Sequence, residues 1–308
     1  MSARHRPPRL RPGDTVALVA PAGPIPADVL DAGVAHLRSW GLHVREGEHL
    51  RDRHPQLDYL AGSDADRAAD LQRAYCDPEV AAVLCARGGY GCTRVLEHLD
   101  FAAMSAAGCT ALVGSSDVTA LHEAFAAHLG VVTVFGPMPA TRAFVDDAPA
   151  REHLRRTLFE PDSSTVLARA DAEELVPGRA RGITYDGNLA LLAAGLGAPD
   201  AAPRPERGIA VLEDVAEDPY RIDRALQQLL RAGWFDAASA IALGSWADCG
   251  PLEQVRATLL DRLGGLGVPV LGELGFGHCA GQRTIPLGVS AELDTAARTL
   301  SLNRAALR

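Results

Sequence analysis

Thr110-Ala-Leu-Val-Gly-Ser-Ser-Asp-Val-Thr-Ala-Leu-His-Glu-Ala-Phe125 reads as a short buried strand, a tight turn at Gly114-Ser115-Ser116-Asp117, and then a helix. The helix follows from apolar Val118, Leu121, Phe125 and Leu129 at spacings of three and four, with Gly130 placed to stop it. Glycine two residues ahead of a serine, between a strand and a helix, is the pattern of a nucleophile elbow, which lifts the hydroxyl clear of the sheet at a helix N-terminus. Ser116 is then the exposed hydroxyl. Ser and Asp are also the favoured helix caps, so this stretch alone leaves an ordinary N-cap open. Only distant partners decide between the two.

Outward from the elbow, strand and helix patterns alternate in both directions. Before it come a strand at 15–20, a helix at 27–41, a strand at 42–46, a helix at 64–75, and a strand at 79–86 that leads into Arg87-Gly88-Gly89-Tyr90-Gly91; after it comes a strand at 131–135. Between 146 and 181 periodicity fades, and Pro149, Pro161, Pro177 and Gly178 interrupt. Beyond that the spacing predicts strands at 208–212, 238–245 and 268–274, helices at 222–233 and 252–263, and a closing hairpin of 289–293 with 299–302. Strands separated by helix-length segments mean βαβ units. The expected fold is α/β in two domains: residues 1–150 with a mostly parallel sheet, flanking helices and the elbow, a linker at 151–180, and residues 181–308 with a mixed sheet. A chain of 308 residues is long enough for two cores.

The net charge of −9 argues against a nucleic acid or an anionic membrane as partner, because both need a basic surface. Cys76, Cys85, Cys92, Cys109, Cys249 and Cys279 are scattered, with no CxxC pair, no HExxH and no Cys/His spacing suited to zinc. No metal or other cofactor is expected, and a reducing compartment is. The first ten residues carry positive charge with no apolar run behind them, so neither a signal peptide nor a membrane span is expected and a cytoplasmic location is.

Three polar residues follow expected strands: Ser116, Glu213 and His278. In open α/β sheets the ligand crevice lies at the carboxyl ends of the strands, so residues from separate strands converge there. Ser, Glu and His supply what a triad needs: a hydroxyl nucleophile, an imidazole to take its proton, and a carboxylate to fix the tautomer. Glu213 also sits in the acidic run Glu213-Asp214-Val-Ala-Glu217-Asp218, which fits a solvated loop or the charges of a helix N-terminus equally well. His278 lies between Gly277 and Cys279, off any helical face. The glycine loop at 87–91 offers backbone amides, alongside that of Asp117, for an oxyanion. It lacks the third glycine of a dinucleotide fingerprint, and there is no Walker A sequence.

Leu60-Ala-Gly-Ser-Asp-Ala-Asp-Arg67, Arg87-Gly-Gly-Tyr-Gly91, Gly114-Ser-Ser-Asp117, Gly187-Asn-Leu189, Leu212-Glu-Asp214 with Pro219-Tyr-Arg-Ile-Asp-Arg224, and Gly277-His278 with Ile285-Pro-Leu-Gly288 together resemble the LD-carboxypeptidase family of serine peptidases. The likeness runs in order along nearly the whole chain. It implies a cytoplasmic, largely dimeric, metal-free enzyme with Ser116 as nucleophile, His278 as base, Glu213 as orienting carboxylate, and the amides of Gly89 and Asp117 at the oxyanion. Three positions depart from the family pattern: Ser115 replaces an aromatic residue, Phe135 replaces the histidine before Gly136-Pro137, and Asp186 replaces a glycine before Gly187.

The expected function is therefore a serine carboxypeptidase acting on a small peptide, and the resemblance implies release of the terminal D-alanine of a murein tetrapeptide in cell-wall recycling. Arg87 and Arg283 are the candidate cations for the substrate carboxylate, and a homodimer is the expected assembly. One alternative within the family is an amidase of aminoacyl-nucleotide antibiotics. Another, of a different class, is a non-catalytic α/β protein that binds a small anion at the Gly89 loop.

Overall fold

The computed structural model describes residues 4–308. The first half alternates β1 (Thr15–Val19), α1 (Ala27–Ser39), β2 (His43–Glu46), α2 (Asp64–Cys76), β3 (Val80–Cys85), α3 (Cys92–Val95), α4 (Phe101–Ala107), β4 (Ala111–Gly114), α5 (Thr119–His128) and β5 (Thr133–Phe135), then α6 (Arg142–Val145) and α7 (Ala148–Phe159). The second half runs β6 (Val166–Ala168), β7 (Glu173–Val176), β8 (Arg179–Tyr185), α8 (Leu189–Ala194), β9 (Gly208–Val215), α9 (Pro219–Arg231), β10 (Ala238–Ala247), α10 (Leu252–Leu263), β11 (Val270–Gly272), β12 (Ile285–Leu287), β13 (Ser290–Asp294) and β14 (Thr299–Leu302).

One sheet has the order β12-β5-β4-β3-β1-β2 and is parallel except for β12, which runs antiparallel to β5. The other has the order β6-β14-β13-β8-β9-β10-β11-β7, with β8, β9, β10 and β11 mutually parallel and the flanking strands antiparallel. The fold is thus two-part α/β with a parallel-rich and a mixed sheet.

Alternation along the buried strands decides which core each side chain joins. In β3, Leu84 belongs to a cluster that runs from Leu18 and Val113 into Phe276, Leu293 and Leu300 of the second half, so the two sheets share one core. Its neighbour Val83 packs with Leu71, Tyr75, Leu121 and Phe125 of the outer helices. On the second sheet Leu212 and Leu243 pack against Ile222, Leu226 and Leu229 of α9 and Leu259 of α10.

The stretch 151–180, expected as a linker, holds regular elements: most of α7 and the whole of β6 and β7. The proline and glycine breakers that suggested a linker punctuate short elements instead: Pro161 opens a single 3-10 turn, and Gly178 separates β7 from β8. Strand β12 is a second departure, since it comes from the second half of the chain yet closes the edge of the first sheet.

Candidate active site

The elbow forms where β4 ends. Ser115 continues the extended backbone and is 5% exposed, whereas Ser116 swings to φ +60, a left-handed conformation unusual for a residue with a side chain. Strain of this kind costs about 1–3 kcal/mol and persists only where both flanks are fixed. Here β4 is buried throughout on one side, and Leu121 and Phe125 of α5 are fully buried on the other. The hydroxyl of Ser116 therefore stands at the surface of the turn while that of Ser115 faces inward.

The glycine loop lies directly over this turn. A Cβ built on Gly88 would sit 3.2 Å from Ser116 Oγ and 3.1 Å from its Cβ, so any larger residue there would have to push Ser116 aside by a few tenths of an ångström. Among the described residues the amides of Gly88 and Gly89 donate no hydrogen bond and are free for a ligand oxygen. The Asp117 carboxylate is buried and accepts from the Cys92 amide at 2.8 Å, which ties the end of the loop to the elbow. Burial pushes its pKa up against the pull of that hydrogen bond.

Glu213 and His278 meet from separate elements of the second half. Glu213 lies inside β9, which extends to Val215, and its side chain is fully buried. His278 Nδ1 is 2.8 Å from Glu213 Oε2, and a carboxylate can only accept, so the ring proton is on Nδ1 and Nε2 is left as the basic nitrogen. The loop that presents His278 is pinned: Ser245 Oγ of β10 donates to the His278 carbonyl at 2.9 Å, and the Ser245 amide donates to Phe276. At Gly277, with φ +85, any Cβ would collide with Glu213. Burial pulls the imidazole pKa down, but the hydrogen bond and charge of Glu213, with the charge of Asp214, outweigh it and raise His278 above the ordinary histidine value.

Asn188, noted in the sequence only as part of a motif, joins the two groups. Its Nδ2 donates to Glu213 Oε1 at 3.1 Å and to Asp214 Oδ1 at 2.9 Å, its Oδ1 caps α8 by accepting from the Leu191 amide, and its own amide donates to Thr119 Oγ1 at 3.0 Å. Thr119 is the first residue of α5, three positions past Ser116. The elbow thus reaches the Glu213–His278 pair through Asn188, and no direct hydrogen bond joins Ser116 to His278 among the described residues. Asp214 is not the solvated acid its sequence context allowed. It is buried, accepts from the amides of Val215 and Ala190, and is raised to about 6 by burial and by the adjacent Glu213 charge.

A cavity of about 550 Å³ opens beside the elbow, lined by Gly89, Asp117 and Thr119 on one wall and by Ala190, Leu191 and Ala194 of α8 on the other. Besides Asp117 it borders the acids Glu97, Glu123 and Asp200, but neither Arg87 nor Arg283. Arg87 turns back to donate to the Pro24 carbonyl at 2.8 Å, and Arg283 lies near His153, whose pKa is lowered to about 4 mainly by burial and then by the Arg283 charge. Among the described residues no group of three or more His, Cys, Asp or Glu side chains is placed to hold a metal ion. Among the described residues no helix is long and apolar enough to cross a membrane.

The same sites fall within known families. The LD-carboxypeptidase N-terminal domain matches residues 16–136 and the LD-carboxypeptidase C-terminal domain matches residues 181–293. A Streptomyces coelicolor protein named, provisionally, as a carboxypeptidase is 58% identical over 98% of this chain and 97% of its own. The murein tetrapeptide carboxypeptidase of Pseudomonas aeruginosa is 37% identical over 91% of this chain and 92% of its own. Among solved structures, the muramoyltetrapeptide carboxypeptidase of Oxalobacter formigenes superposes with a TM-score of 0.81 at 30% identity, covering 94% of this chain and 99% of that one. The microcin C7 self-immunity protein shares the fold, with a TM-score of 0.86 at 22% identity over 99% of this chain and 100% of that one.

Proposed function

Because the chain belongs to the LD-carboxypeptidase family of peptidases, we propose that it is a serine carboxypeptidase that hydrolyses an L,D-amide bond and releases the terminal D-alanine of a murein tetrapeptide. The observation that carries this reading is the 2.8 Å Glu213–His278 hydrogen bond, which fixes a basic Nε2, in a site whose only strained serine is Ser116 at φ +60.

In this mechanism Ser116 Oγ attacks the scissile carbonyl while His278 Nε2 takes its proton. The tetrahedral oxyanion forms under the free amides of the glycine loop and the Asp117 amide, where fixed dipoles act without reorganisation. His278 then donates its proton to the leaving D-alanine amine, and the acyl-enzyme is hydrolysed by water activated the same way. Glu213 keeps the imidazole in the Nδ1–H tautomer and stabilises the imidazolium. A homodimer in the cytoplasm is the proposed state of the enzyme, and sedimentation velocity measures the first part of that.

A second reading, hydrolysis of the amide of an aminoacyl-nucleotide, uses the same machinery and gains from one observation: the cavity beside the elbow carries no arginine to meet a terminal carboxylate. One experiment separates the two. A tetrapeptide with free terminal D-alanine should be cleaved at least about tenfold faster than its C-terminal amide, the effect of one charge-assisted contact. Equal rates would remove the carboxypeptidase reading and favour the amidase.

A further inference from the structure

The loop after α8 carries Arg204 between Pro203 and Pro205, where a solvated arginine would be the ordinary expectation. Instead its guanidinium is 17% exposed and makes a fork: it donates to both oxygens of Glu123 at 3.0 Å and to Asp186 Oδ1 at 2.7 Å. It also lies over the Trp234 ring at 4.7 Å. Glu123 is 14% exposed and Asp186 fully buried. Taking such charges out of water costs several kcal/mol each unless they are closely paired, so the cluster is there for a purpose. A ligand is not that purpose. The cavity among Asp186, Glu123, Arg204, Arg4 and His122 is about 10 Å³, room for one water.

What the cluster touches is the frame of the candidate active site. Glu123 is one helical turn beyond Thr119, on the helix that begins at the Ser116 elbow. Asp186 immediately precedes Gly187, whose carbonyl accepts from the Glu213 amide at 3.0 Å, and Asn188, which holds Glu213. Asp186 has φ +78, a conformation that glycine adopts freely and that a side chain there must justify by what it binds.

We infer that Asp186, Arg204 and Glu123 form a positioning cluster that sets the placement of the Ser116 elbow relative to the Glu213–His278 pair, which belong to different halves of the chain; the inference rests on the serine-peptidase reading above. Asp186 Oδ2 has no hydrogen-bond partner, and burial, with the neighbouring Glu123 charge, holds the group well above the usual carboxylate range. The titratable and charged groups around it are Glu123 and His122 of α5, Tyr185 of β8, Arg204 and Arg4.

The test uses the full chain. Asp186→Gly keeps the turn, since glycine accepts the positive φ, and removes the anchor. Its kcat for tetrapeptide cleavage should fall at least about tenfold with KM within about twofold, because misplacement of reacting groups by about 1 Å costs up to 10²-fold. Asp186→Asn keeps an acceptor for Arg204, gains a donor toward Glu123 and tolerates the same φ, so it should recover most of that loss. Unchanged kcat in Asp186→Gly, or a fall matched by the loss of folded protein on thermal unfolding with no recovery in Asp186→Asn, would overturn the inference. A serine-directed fluorophosphonate probe on the wild-type chain keeps the two levels apart. A wild-type chain that neither reacts with the probe nor cleaves the peptide overturns the functional reading and this inference with it, whereas a reactive wild type with an unaffected Asp186→Gly overturns the inference alone.

Discussion

Replacing Asn188 by alanine tests how the candidate site is assembled, because that side chain is 3% exposed and every polar atom of it is committed. The change removes one donor from Glu213, one from Asp214, and the cap of α8. A hydrogen bond to a buried charge contributes about 1.5–3 kcal/mol and a cap about 1 kcal/mol; allowing for relaxation, the loss should be about 4 kcal/mol near pH 8. Asp214 makes the cost depend on pH. Its folded pKa of about 6 lies above the unfolded carboxylate value of about 4, so this group weakens the fold as pH rises through that window, and below it the neutral acid needs the Asn188 donor less. The cost should therefore shrink to about 2–3 kcal/mol near pH 5, and wild-type stability should fall less steeply than the variant's between the two. Urea unfolding at both pH values measures it. A cost under about 1 kcal/mol, or one equal at pH 5 and 8, would refute the assignment of Asn188 as the donor that lets two adjacent acids be buried.

Gly277→Ala should abolish most activity while leaving the secondary structure intact, because the new methyl displaces Glu213 from His278; near-wild-type kcat would show that the approach is not tight. Ser115→Ala should lose less than about tenfold in kcat, since its hydroxyl faces inward, and a dead Ser115 variant would mean that the elbow is read one residue out of register. The pH profile of kcat/KM should rise through a pKa above the ordinary histidine value of about 6.5, as His278 loses a proton that Glu213 stabilises. Glu213→Gln should lower that pKa and reduce kcat by about 10⁴-fold, and an unmoved profile would remove His278 from the role of base.

The central parallel strands were legible because burial on both faces leaves continuous apolar runs such as those of β3 and β4, whereas β8, parallel to β9, was not, because Arg179-Ala-Arg-Gly at its start is polar and partly exposed. The elbow was legible for the same reason, being a strand and a helix in direct succession around Gly114 and Ser116. Less could be read where polar residues do structural work. Glu213 and Asp214 mark the end of an apolar run in the sequence, yet β9 continues through them because Asn188, His278 and two backbone amides satisfy their carboxylates. Nothing local signals those partners, which lie up to 65 residues away. Asn188 stood out only as part of a motif, with the cap it forms on α8 unread, and Arg204 between prolines resembles a loop cation, although each draws the two halves of the site together. The pairing of β12 with β5 was also hidden, because Ile285-Pro-Leu287 is too short a run to name its neighbour.

Ser116, activated by His278, is proposed to cut an L,D-amide bond. The measurement that tests it most directly is the release of D-alanine from a murein tetrapeptide by the wild-type chain and by Ser116→Ala, followed by mass spectrometry. The wild type should release D-alanine and leave the matching L,L-peptide uncut, and the variant should be at least about 10⁴-fold slower. Release at comparable rates by both proteins, or cleavage of the L,L-peptide alone, would contradict it.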